Sequence, residues 1–233
     1  MQRTPSLFVA LAVAAVAGCD KSPSPQSGPG RDEPVTLVFH LELNPEVYQD
    51  SLWADPPQLA VWLENEADET IQMVKVTHNT GANYWVGKVE CSVALPFWVT
   101  FYNKQTGTEG PPTWDHPAPD SITCATPKTE LTAEATVPGG TRWTYYVEVN
   151  VSGDYNATFQ RMSMTAGSDR YGNGQPSLIY RGFIDATPGS TSRPELIGRT
   201  DQYMATGQID EDLTGITTAK ELLREITVSS TSP

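Results

Sequence analysis

The sequence is short of the residues that build most metal and nucleophilic sites. Its 233 residues hold three histidines and three cysteines. His40, His78 and His116 are far apart, and only Asp115–His116 sets a second metal-type side chain beside one of them. A zinc or copper site would need two or three more ligands from elsewhere. There is no G-x-S-x-G, P-loop, G-x-G-x-x-G or H-E-x-x-H motif. Basic residues are scarce too: 15 Lys and Arg stand against 28 Asp and Glu, a formal net charge of −13. Such a surface is repelled by nucleic acid and by anionic headgroups, so nucleic acid is excluded as a partner. It suits a cation, a basic partner or simple solubility. No stretch reaches the run of about 20 apolar residues that a membrane-spanning helix needs.

What is present begins at the N-terminus. Arg3 precedes an apolar run from Leu7 to Ala17, which has the length of a signal-peptide core and ends in small residues. The ending Val16-Ala17-Gly18-Cys19 resembles the bacterial lipobox. That resemblance implies cleavage between Gly18 and Cys19, lipid on Cys19, and a membrane partner reached through the lipid alone, on the extracytoplasmic side of the inner or outer membrane. Residues 1–18 are thus expected to be a signal peptide. Residues 19–34 come next as lipidated cysteine and tether, rich in Pro, Ser and Gly and without a large apolar residue. Without residues 1–18, 14 basic and 28 acidic side chains remain, a net charge of −14. Cys91 and Cys124 are the two other cysteines. In an oxidising compartment they are candidates for a disulfide, which would add roughly 3–4 kcal/mol by chain entropy.

From Val35 onward the dominant period is two. Val35, Leu37, Phe39, Leu41 and Leu43 alternate with other residues, which predicts a strand with one buried face. The same reading predicts strands near 59–64, 71–77, 84–90, 97–102, 130–137, 143–151, 155–160 and 177–184. One helix is predicted, capped by Thr217 or Thr218 and running through AKELLREI with Leu222, Leu223 and Ile226 inward, before a last short strand, ITVS. The expected fold is all-β: one immunoglobulin-like β-sandwich over 35–233 with a short C-terminal helix, residues from about 186 onward forming an extension. Trp62, Trp98, Trp143 and Tyr145 fall on strand patterns as core aromatics.

Two stretches have no regular period. Residues 103–129 carry five prolines, and residues 161–176 (RMSMTAGSDRYGNGQP) are polar and glycine-rich. Long irregular loops in a compact domain are usually functional or disordered. In the second, Asp169 and Asn173 lack the spacing and terminal glutamate of an EF-hand, and read as a turn in which Gly and Asn take left-handed conformations. In the first, Asp120-Ser121-Ile122-Thr123-Cys124-Ala125-Thr126 resembles the acceptor signature of extracytoplasmic flavinylated proteins. The resemblance implies covalent FMN, joined through its phosphate to Thr126, with Asp120, Thr123 and Ala125 completing the signature. Cys124 stands where that signature most often has glycine. Trp114 is a candidate to stack on the flavin.

More broadly, PQLAVWLENEADETI, the D-x-x-T-C-A-T-P segment and VPGGTRWTYYVEVNVSGDYNATF together resemble a bacterial family of periplasmic β-sandwich domains over residues 35–160. Some of its members accompany PepSY proteins and flavin transferases, and the family has no established activity. The function expected on these grounds is that of an envelope lipoprotein acting as a non-enzymatic binding or accessory module, with an envelope protein as partner. The alternatives are a flavinylated electron-transfer protein, and an envelope glycan hydrolase whose paired carboxylates cannot be singled out among 28 acidic residues.

Overall fold

A computed structural model describes residues 33–87, 90–120, 122–163, 167–202 and 206–233; Gly18, Cys19 and the tether to Asp32 lie outside them. Alternation along β1 (Pro34–Leu43) sends Val35, Leu37, Phe39, Leu41 and Leu43 into the interior. β1 is flanked on one side by β5 (Glu130–Pro138) and on the other by β12 (Leu223–Thr231), both antiparallel. With β10 (Thr191–Ser192) they form a four-stranded sheet in the order β10-β12-β1-β5. The second sheet has six strands in the order β11-β9-β6-β2-β3-β4. These are β11 (Glu195–Arg199), β9 (Leu178–Asp185), β6 (Arg142–Asn150), β2 (Gln58–Asn65), β3 (Ile71–Thr77) and β4 (Thr123–Cys124). All its pairings are antiparallel except that of β3 with β4. A small ribbon joins β7 (Met162–Ser163) and β8 (Gly167–Ser168).

The molecule is mostly β, with two sheets sharing one apolar core. Side chains of β1, β5 and β12 meet those of β2, β6 and β9 in a single buried cluster. Tyr145 lies across its cross-strand neighbour Gly182, where any Cβ would meet the tyrosine ring. The six-stranded sheet is also covered on its other face. Ala60, Trp62, Met73, Val76, Tyr146 and Ile179 pack there against Leu95 and the helical residues Trp98 and Tyr102. Cover on both faces leaves every position of β6 after Arg142 buried, the polar Thr144, Glu148 and Asn150 included.

That covering layer corrects the sequence reading at 97–102. PFWVTFYNKQT forms a helix, α3 (Pro96–Thr106), introduced after the short helices α1 (Pro45–Gln49) and α2 (His78–Ala82). A six-residue apolar run fits either period. Pro96 in the first turn and Gly107 in the left-handed conformation after the last turn decide for helix. Three other expectations fail for local reasons. Residues 84–87 leave α2 through left-handed Asn83 and Gly87 and form no strand. Residues 155–160 are bent because Asn156 Oδ1 accepts the amides of Thr158 (2.9 Å) and Phe159 (2.8 Å). The C-terminal helix shrinks to a 3₁₀ turn, Thr218–Glu221, and residues 223–231 become β12, paired with β1 from Leu43↔Leu223 to Thr36↔Thr231. Pairing along a full strand outweighs the helical propensity of KELLRE. Residues beyond 186 therefore supply an interior strand of the four-stranded sheet, not an appendage.

Candidate functional site

The chain between β3 and β4 carries many of the residues singled out from sequence, and a buried carboxylate fixes where its helix α3 starts. Leu95, at the helix N-cap, has no side chain to cap α3. Glu148, from the middle of β6 and 0% exposed, does so instead. Its Oε2 accepts from the Trp98 amide at 2.6 Å, and its Oε1 accepts from the Phe97 amide at 3.2 Å and the Ser177 hydroxyl at 2.6 Å. Burial pushes the Glu148 carboxyl up to about 7, against the three hydrogen bonds that favour its charged form. Alternation along 143–151 places Glu148 on an outward face. The overlooked signal is Pro96, which opens a helix that has no local cap.

After α3 the chain makes a two-residue hairpin. Thr113 N donates to His116 O (3.1 Å) and His116 N to Thr113 O (3.0 Å), leaving Trp114 and Asp115 at the tip. Trp114 is 77% exposed. The Thr113 hydroxyl holds the Asp115 carboxyl below its ordinary value, with a smaller contribution from His116, 3.6 Å away. The chain then returns beside α2, where Ala118 N donates to Gly81 O at 2.7 Å, and enters β4.

β4 brings the signature residues together. Its parallel pairing sets Thr123 opposite Val76 and Cys124 opposite Thr77. Thr123, Cys124, Ala125 and Thr126 line a cleft of about 410 Å³ with His78 and Asn79. The Thr123 hydroxyl donates to Asp120 O at 3.3 Å, closing the turn before the strand. Ala125 and Asp120 are exposed and Thr126 is half-buried. Trp114 is not among the residues lining this cleft.

Cys91 and Cys124 are both free, so the disulfide considered from sequence is not formed. The two thiols belong to different layers. Cys91 lies in the cluster under α3, with Sγ 3.8 Å from Gly172 O, and burial pushes its thiol up to about 12. Cys124 packs against the core between the sheets, and burial raises its thiol while the nearby Lys75 opposes the rise. His40 is on the outer face of β1, His78 opens α2 and His116 closes the hairpin. Among the described residues, no group of three or more His, Cys, Asp or Glu is placed to hold a metal. Compared with protein-family models, curated proteins and solved structures, the chain finds no match.

Proposed function

We propose that the chain is a bacterial envelope lipoprotein whose β-sandwich, of immunoglobulin-like type, is a non-enzymatic binding or accessory module for another envelope protein. The lipid sits on Cys19 after cleavage behind Gly18. The V-A-G-C ending supports that anchor, and no helix among the described residues is long and apolar enough to cross a membrane. The observation that carries the binding role is Trp114, 77% exposed at the tip of a hairpin closed by two backbone hydrogen bonds. A rigidly presented indole loses little entropy on docking, and such anchors contribute about 2 kcal/mol or more at interfaces. A photo-reactive amino acid at position 114, with position 134 on the outer face of β5 as control, tests it in living cells. A discrete membrane-fraction adduct is expected from 114 alone, and fatty-acid labelling should vanish in Cys19→Ser. Equal adducts from both positions, or none, would remove the binding role, and undiminished labelling would remove the anchor.

A second reading is favoured by the cleft that Thr123–Thr126 line. There a flavin transferase would move the FMN half of FAD onto Thr126: the hydroxyl oxygen bonds to the FMN phosphorus, the pyrophosphate bond of FAD breaks, AMP leaves and the hydroxyl proton passes to solvent. Co-expression with such a transferase should give a fluorescent band that Thr126→Ala abolishes. An unmodified peptide over residues 120–128, beside a flavinylated control substrate, would discard this reading.

A further inference from the structure

The glycine-rich loop before β9 is drawn into the interior by its own polar side chains. Asp169 N donates to Arg161 O at 2.9 Å. The Asp169 carboxylate accepts Tyr171 N through Oδ1 (3.2 Å) and Gly174 N through Oδ2 (3.0 Å), so the loop wraps around it. Gly172 and Gly174 supply the left-handed turns, and Asn173 does not. Asn173 instead points inward, its Nδ2 donating to Gln202 O at 3.0 Å, while Gln202 Nε2 donates to Gln160 O at 3.2 Å. Residues 160–161, 169–174 and 202 are thereby tied into one cluster around the buried side chains of Asp169, Asn173 and Gln202.

Two acceptors in that cluster have no donor. Asn173 Oδ1 and Gln202 Oε1 are both buried and unpartnered. Asn173 is 5% exposed, Gln202 2% and Asp169 5%. Exchanging oxygen and nitrogen in either amide gives no relief, because each nitrogen already donates to a carbonyl. Leaving a buried acceptor unpaired costs about 1–3 kcal/mol, and both acceptors belong to the hydrogen-bonded cluster that holds the buried Asp169 carboxylate. Each Asp169 oxygen accepts one amide and keeps a further lone pair. The buried Tyr155 hydroxyl, set against the same carboxylate, is a third polar group without a partner.

We propose that Asp169, Asn173 and Gln202 form a calcium site, the two amide oxygens and the carboxylate being its side-chain ligands. A hard, all-oxygen set with a single carboxylate and carbonyl-type donors is calcium chemistry; magnesium holds its own water more tightly. The rival occupant is a buried water, whose two hydrogens would satisfy both amide oxygens. The two occupants differ in what calcium does to the protein. Full-length chain is stripped with chelator and melted with and without about 1 mM calcium, a concentration spanning the weaker extracellular sites. A melting-point rise of about 5 °C is expected, together with one ion bound per chain in equilibrium dialysis. Gln202→Met keeps the volume and removes one orphan oxygen, and should abolish both the shift and the bound ion. Asn173→Asp adds ligand charge and should tighten binding roughly tenfold. No shift in the wild type would leave the cluster to water. A shift of the same size in wild type, Gln202→Met and Asn173→Asp would assign the calcium to the acidic surface. Either result overturns the site.

Discussion

Replacing Glu148 with alanine is expected to destabilise the protein by about 2–4 kcal/mol, the largest loss for a single substitution outside the apolar core. Three donors converge on this carboxylate, and two are the free amides at the start of α3. Alanine leaves the two helix amides without an acceptor, while Ser177 Oγ keeps Thr200 Oγ1 at 2.6 Å as its partner. Removing a buried charge offsets part of that loss, since burial already disfavours the ionised form. Glu148→Gln separates the two contributions. Its amide oxygen can serve Phe97 N and Ser177 Oγ, but its NH₂ group then faces the Trp98 amide, which needs an acceptor. Glutamine is therefore expected to lose nearly as much as alanine despite its matching shape. Urea unfolding followed by tryptophan fluorescence measures both, because Trp98 sits on the affected turn. Stability within about 0.5 kcal/mol of wild type for either variant, the usual range for surface changes, would mean that α3 does not depend on this cap.

The legible parts of the fold are those whose partners are implied by local period alone. β1 and β5 alternate over one core, while β2, β3 and β9 send apolar side chains into both clusters; alternation or apolar runs place all five within a residue or two. β6 is legible as a strand, but on one face only. Trp143, Tyr145, Val147 and Val149 mark the core between the sheets, while Tyr146 and Glu148 face a helix more than forty residues earlier. The helix at 97–102 and the role of Glu148 are hidden together, because the helix and its cap define each other. β12 fails for a related reason: the chain from 219 to 226 has good helical residues, and only the unpaired edge of β1 makes it a strand. At the candidate site, residues 123–126 are visible because they are contiguous. His78 and Asn79 join them only through the parallel pairing of β3 and β4. Asn173 and Gln202 are 29 residues apart, and nothing in either local sequence announces that both oxygens lack donors.

Stability is expected to fall as pH rises through neutrality, the reverse of ordinary acid denaturation. Two buried carboxyls drive it. Glu148 rises from 4.5 to about 7. Asp154 rises from 3.8 to about 8 by burial, with hydrogen bonds from Gln175 N and Nε2, each 2.8 Å, limiting the rise. In both cases the folded value lies above the unfolded one, so between them the folded state holds more protons. Their contribution is fully present below about pH 4 and is lost as pH climbs through 7 and 8, after which the profile flattens. At about 1.4 kcal/mol per unit, the rise at Glu148 corresponds to about 3 kcal/mol, and Asp154 adds a loss of similar order. The general surplus of acidic residues pushes the same way at high pH, but through long-range repulsion that salt screens. The buried contribution is not screened, which distinguishes the two. Urea midpoints at about pH 5, 6, 7, 8 and 9, in low and in roughly 1 M salt, cover the window in which these groups titrate. A midpoint that drops across this range at both salt concentrations is expected, with Asp154→Asn removing its share of the drop between about pH 6 and 8. A flat or rising profile in high salt would mean that both carboxyls are ionised throughout, held charged by the donors around them more strongly than burial opposes.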